Sequence, residues 1–333
     1  MQKIFYTILF LGLVLLAGCG TPNDPESIIG GDGGYKVVSK FITSGYAQDV
    51  VVKDTLAFVT QGEGGLMILN ISDRSEPREL STVYKELKGY SNKIVVKDSV
   101  VYISAGAFGV SVVDAFNPVN PIVTATNLAL KPGKGFDIKG NFLFTAIGEY
   151  GFKISEISYP TQPDIRGETS TPGFASAVCV SPDTNYLLVA CGEMGFALYN
   201  ISELQSGWGT YPIAGWIDTP GYAEDVVAHP TLPFAFLACG TAGLFITDYS
   251  DSANIKIVGS YSTGGYAKEV VYQDNKAYIT TGMRGLQVFD VSNLSSPVLI
   301  GTVETELAMG LALDDDYVYI ADEQEGLIII SIP

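Results

Sequence analysis

Apolar residues fall in short runs broken by Gly, Asp, Asn and Pro, without helical spacing. Gly45-Tyr46-Ala47-Gln48-Asp49 opens an apolar strand ending at Val52, and a polar turn leads to a second strand over Leu56 to Thr60. A G-x-x-G turn follows, Leu66 to Ile71 form a third strand, and Pro77 introduces a fourth that runs through Thr82. Runs such as VVV, LMIL and VSVV are apolar on both faces, as strands must be when their sheet is covered on both sides. The pattern predicts an all-β chain.

The same unit recurs. G-x-x-G pairs stand at Gly62/Gly65, Gly106/Gly109, Gly148/Gly151, Gly192/Gly195, Gly240/Gly243 and Gly282/Gly285, and a degenerate seventh copy keeps only Gly326 after Glu323. The second glycines are 41 to 48 residues apart. That period suits a four-stranded propeller blade. The last unit stops at Pro333, where the first has reached only Ser72, so it lacks a fourth strand. Residues 36 to 47 match residues 256 to 267, which hold such a strand, without a gap. The expectation over 35–333 is a seven-bladed β-propeller whose N-terminal strand completes the last blade and removes two sheet edges.

The third strands LMILNIS (66 to 72), VSVVDAF (110 to 116), FKISEIS (152 to 158), FALYNIS (196 to 202), LFITDYS (244 to 250) and LQVFDVS (286 to 292) resemble the LVIVD repeat. That resemblance implies a β-propeller among bacterial and archaeal surface or secreted proteins. It carries no active-site residues over. Ser331 replaces the Asp, Asn or Glu of the other copies, so this position reads as a turn-initiating polar residue.

Met1-Gln2-Lys3, an apolar stretch from Ile4 to Leu16 and then Ala17-Gly18 describe a secretory signal, too short for a spanning helix. Leu16-Ala17-Gly18-Cys19 resembles the lipobox of bacterial lipoproteins, which implies a signal peptide over 1–18 and a diacylglycerol on Cys19. Each buried acyl methylene contributes ~0.8 kcal/mol to anchoring. Residues 19–34 read as a lipidated tether, rich in Gly, Pro, Asp and Ser. The expected location is the cell envelope, at an outer membrane or cell surface.

A formal charge of −17 excludes nucleic-acid partners, which need a basic face, and disfavours direct adhesion to anionic lipid. The membrane contact then falls to acylated Cys19. Beyond it stand Cys179, Cys191 and Cys239, an odd number in apolar runs; they read as small core residues, with a cross-blade Cys191–Cys239 disulfide as the alternative. His229 is the only histidine, in a turn expected opposite the channel mouth, so triads and multi-histidine metal sites have little to stand on.

Two rings map to the channel mouth. Tyr46, Tyr90, Phe174, Tyr222 and Tyr266 follow the glycine before each inner strand, with Pro132 and Leu307 in the other two units. They form either a sugar- or peptide-binding rim or wedges between blades. The G-x-x-G turns bring Glu63, Glu149, Glu193, Glu323, Glu325 and Arg284, and the inner strands add Asp49, Glu224, Asp225 and Glu269. These are either solvated turn residues or convergent carboxylates suited to Ca²⁺ or to acid/base work on a glycoside. No cofactor is otherwise expected. The leading expectation is a non-catalytic binding or scaffold module that meets an envelope protein, peptide or glycan. Its rival is a carboxylate-dependent hydrolase or lyase on envelope polysaccharide. The most individual insert, Glu203 to Pro212, with Trp208, Tyr211 and the nearby Trp216, is expected to cover the outer edge of its own blade.

Overall fold

A computed structural model describes residues 32–204 and 209–333. Residues 1–18, Cys19, most of the tether and Trp208 lie outside the described residues. The rest forms seven four-stranded antiparallel sheets in a ring, a seven-bladed β-propeller. Blade 1 holds Asp49–Lys53, Leu56–Thr60, Leu66–Asn70 and Arg78–Val83, from the inner strand outward. Blades 2 to 6 repeat this order with inner strands Ile94–Lys97, Phe136–Lys139, Ala177–Val180, Asp225–Ala228 and Glu269–Gln273. Blade 7 comprises Ala308–Leu313, Tyr317–Asp322 and Gly326–Ser331, and its outer strand is the N-terminal Lys36–Phe41. A bulge breaks register between third and outer strands in the first six blades and recurs between Val37 and Ser39. The closing strand is thus built like the strands it stands in for.

Doubly apolar strands have the expected consequence: the core divides into seven clusters, one at each seam between blades. Between blades 7 and 1, for example, Ala47, Val50, Val59 and Leu69 meet Tyr319, Ala321, Leu327 and Ile329, each no more than 1% exposed. The seam between blades 2 and 3 is the thinnest, with seven buried residues against ten to fourteen at the others.

The polar residue ending the third strand caps a turn in five of the seven blades. Asn70, Asp114, Asn200, Asp248 and Asp290 each accept a backbone N–H from two residues on. At this end of blade 1, Arg74 latches the closed ring. Its Nε donates to Tyr319 Oη at 2.9 Å and its Nη2 to Asp314 Oδ2 at 3.1 Å, both on blade 7.

One expectation changes, and one alternative falls away. Gly209, in the insert of blade 4, bridges to Gly167 on the outer strand of blade 3, and Tyr211 stacks near Phe152. The insert therefore covers the neighbouring blade's edge, because Gly167 leaves room there for the Tyr211 ring. Cys179, Cys191 and Cys239 are free thiols, so the cross-blade disulfide is absent. Burial pushes Cys191 and Cys239 up to about 12.

Candidate functional site

Each inner strand runs from the mouth toward the far end of the channel, so the G-x-x-G turn and the start of the inner strand share the mouth face. One position in every blade reaches the opening, as Gln48, Asn92, Lys134, Ser176, Glu224, Lys268 and Met309, and Lys93 of blade 2 reaches it as well. They line a cavity of about 350 Å³ walled by Phe174, Tyr222 and Tyr266. The Lys134 ammonium lies 5.2 Å from the Phe174 ring centre and that of Lys268 5.6 Å from Tyr266, whose hydroxyl donates to Glu224 at 2.5 Å.

The aromatic ring is both wedge and wall. A Cβ placed on Gly62, Gly148, Gly192 or Gly240 would fall 2.5 to 3.1 Å from the ring of Tyr90, Phe174, Tyr222 or Tyr266 in the next blade. Each ring thus sits on the bare turn of its neighbour. Beside it, Gly62 and Ser91 exchange backbone hydrogen bonds at 3.0 Å, and the same bridge recurs from Gly106 to Gly133 and at four further seams. Gly192→Ala should therefore cost more stability than Gly106→Ala. Both glycines have positive φ, +56° and +52°, worth about 1–2 kcal/mol against any side chain. Only Gly192 has a ring overhead, with Tyr222 Cζ at 2.8 Å, whereas Gly106 has nothing within 4 Å. The added collision should cost roughly 1–3 kcal/mol more in denaturant unfolding. Equal losses would mean that Tyr222 yields freely.

The other sequence candidates disperse. Tyr46 and Tyr90 stand on the rim, 60% and 39% exposed. Glu63 and Glu193 are exposed in separate turns, and Glu149 lines a second groove with Phe174. Arg284 and Glu325 share another depression with Lys40, and Glu323 is half-buried in the last turn. Among the described residues, no group of three or more His, Cys, Asp or Glu is arranged to hold a metal ion. His229 stacks with Phe236, and its Nδ1 accepts the backbone N–H groups of Thr231 and Leu232 in a turn away from the mouth.

Below the mouth, the inner-strand acids form something the sequence did not disclose. Lys93 of blade 2 reaches across the channel to an ion pair with Glu269 of blade 6 and lies 3.8 Å from Asp49 of blade 1. Asp49 Oδ2 accepts the N–H of Ile94 at 3.0 Å, and Asp225 Oδ2 accepts that of Val270 at 3.0 Å, each from the next blade's free inner edge. Asp137 does the same for Val180 at 2.7 Å. Burial, then the charge of Glu269, pushes Asp49 well up and Asp225 up to about 7, against the pull of Lys93 and the backbone donors. Burial opposes the charge on Lys93, but Asp49, Glu269 and Asp225 outweigh it and hold the ammonium above its ordinary range.

The sign of the pH dependence follows. An aspartate raised in the native state takes up a proton on folding, so its contribution is present at low pH and is lost as pH rises through the native value. For Asp225 that window runs from 3.8 to about 7. Asp225→Asn keeps an acceptor for Val270 and removes the charge. Its stability relative to the parent should improve from pH 5 to pH 8 by about 1–3 kcal/mol in urea unfolding. A difference that stays constant with pH would contradict this.

The sequence marked the aromatic position two residues before the mouth ring and the acids one residue after it, and reached the ring itself only at Glu224. Gln48, Lys134 and Lys268 lie two positions after the aromatic residue or its substitute, and that offset was the available signal.

The LVIVD repeat matches over residues 44–84, 134–171, 220–263, 264–305 and 307–332, more than half of the chain. The comparison with curated proteins gives no match. Among solved structures, the computationally designed Ika8 protein is similar at a TM-score of 0.64, covering 90% of this chain and 100% of its own at 8% identity, a likeness of fold alone.

Proposed function

The chain belongs to the LVIVD repeat family, and from that premise we propose a non-catalytic binding propeller, held at the cell envelope by acylated Cys19 and working through its channel-mouth face. The observation that carries this reading is the mouth ring. A scaffold that repeats seven times presents Gln, Asn, Lys, Ser, Glu, Lys and Met there, a different surface from almost every blade. Repetition serves the fold, and variation at one converging position serves recognition.

Orientation supports the same reading. Lys36 pairs with Ser331, at the end of the third strand remote from the G-x-x-G turn, so the chain enters the ring on the face opposite the mouth. A tether from Cys19 would then hold the far face toward the bilayer and turn the mouth outward. The partner so presented is an envelope protein, peptide or glycan.

Two measurements test this. Mass analysis of the mature chain should find an acylated Cys19 at its N-terminus, and Cys19→Ala should release the chain from membranes. A glycan and peptide screen with the full-length chain should find stoichiometric binding without turnover, lost in Tyr222→Ala and kept in Tyr159→Ala on the opposite face. Turnover abolished by Glu149→Gln would overturn the non-catalytic reading.

A further inference from the structure

The aromatic-on-glycine rule fails at two interior seams: between blades 6 and 7 Leu307 stands over Gly282, 3.7 Å from a Cβ placed there, instead of a ring, and at the other nothing does. Between blades 2 and 3 the ring position holds Pro132, and Gly106 is left with open space above it. Here a groove of about 760 Å³ opens over the seam, floored by Ala107, Leu128, Pro132 and Ile147, and walled by Tyr150 and Phe174. Lys134 and Phe174 line this groove and also the channel mouth, so the two spaces form one cleft that runs outward from the channel. Each part lies within the size range of small-ligand pockets, and together they suit an elongated occupant.

The charge of the cleft differs from that of the chain. In a protein of net charge −17, the cleft's lysines, Lys93, Lys131, Lys134, Lys153 and Lys268, outnumber its carboxylates, Glu149, Glu168 and Glu224; of them Lys131 and Lys134 stand in the groove and Lys268 in the mouth. Among the described residues none of the three has an ion pair. Lys153 is instead satisfied by Glu168 at 3.0 Å and by the carbonyl of Ala129 at 2.9 Å. The ammonium groups of Lys131 and Lys134 stand beside the exposed Tyr150 ring and the half-buried Phe174 ring, over which Lys134 lies at 5.2 Å. A peptide strand would need free backbone partners, but the nearest ones, Gly106 and Gly133, are already bridged to each other.

We propose that this cleft binds an acidic oligosaccharide, its pyranose faces against Phe174 and Tyr150 and its uronate carboxylates on Lys131, Lys134 and Lys268. The proposal rests on the mouth-face reading above and names the ligand class of that site. Carboxylate on ammonium supplies charge-assisted contacts, and the aromatic faces offer broad apolar area at low entropic cost.

Titration of the full-length chain with tri-galacturonate, its methyl ester and tri-glutamate tests the proposal. Tri-galacturonate should bind, more weakly as salt rises, and the neutral ester should bind at least tenfold more weakly. Lys134→Gln and Lys268→Gln should each weaken it about tenfold. Lys139→Gln, on the opposite face, should leave it unchanged. Pro132→Tyr, which restores a ring over Gly106, should abolish binding; should that variant misfold, Ala107→Trp fills the same groove. Equal affinity for the ester, equal or tighter binding of tri-glutamate, unchanged binding in Lys134→Gln, or no binding of any probe would each overturn the proposal. None of these touches the mouth-face reading, which stands or falls on Tyr222→Ala in the broader screen.

Discussion

Deleting Lys36–Phe41 from the full-length chain should lower its unfolding midpoint by at least about 10 °C, or prevent folding altogether. The strand pairs along Leu327–Ile330, whose side chains are fully buried, and its loss would strip one edge of the blade 7 sheet of hydrogen-bond partners. Tyr35, 2% exposed and edge-on to Tyr278 at 6.2 Å, would lose its place in the seam between blades 6 and 7. The chain also passes directly from this strand into the inner strand of blade 1, so the deletion cuts the covalent tie across the closing seam. What remains is the Arg74 latch and one apolar cluster. Together these losses amount to roughly 5 kcal/mol or more, counting a buried aromatic at about 3 and several strand hydrogen bonds at about 1 each. Tyr35→Ala isolates the first part and should cost about 3 kcal/mol while leaving the ring closed. A deletion variant that unfolds at the parent midpoint would mean that the ring does not depend on this strand.

The closing strand was legible because it obeys the repeat: residues 36 to 47 align with 256 to 267, and the structure gives both segments the same bulge. Strand order and the bare turn glycines were legible for the same reason. The cleft was not, because its opening depends on a relation between blades. Pro132 looks like one irregular residue in its own unit, and its effect appears above Gly106 of the preceding one. Lys134 and Lys268 stand at a position that carries five other residue types around the ring, and only the geometry shows that these seven side chains converge. The insert of blade 4 misled for a related reason, since its resting place on Gly167 belongs to blade 3. Reading each unit by itself recovers what repeats. What lies between units, the cleft included, does not show in any one of them.

Removing one charge from the channel should produce the second large effect. Lys93→Met should destabilise the chain by about 3–5 kcal/mol at pH 8, the usual cost of stranding a buried charge without its partner. The native cluster sets one ammonium among Asp49, Asp225 and Glu269, drawn from blades 1, 2, 5 and 6. Without Lys93, three carboxylates face one another across a narrow channel, and each can relieve the repulsion only by taking a proton. The native values of Asp49 and Asp225, already raised, must rise further above the unfolded ones, so the folded state is favoured at low pH and loses that advantage as pH increases. The variant should therefore fall only slightly below the parent at pH 5 and far below it at pH 8 in guanidinium unfolding. Glu269→Gln in the same background removes one of the three charges and should recover part of the loss at pH 8 but little at pH 5. A deficit equal at both pH values, unmoved by the second substitution, would show that Lys93 serves by filling space. The expected divergence would instead make the ion cluster an electrostatic clasp, holding opposite sides of the ring together at the channel mouth.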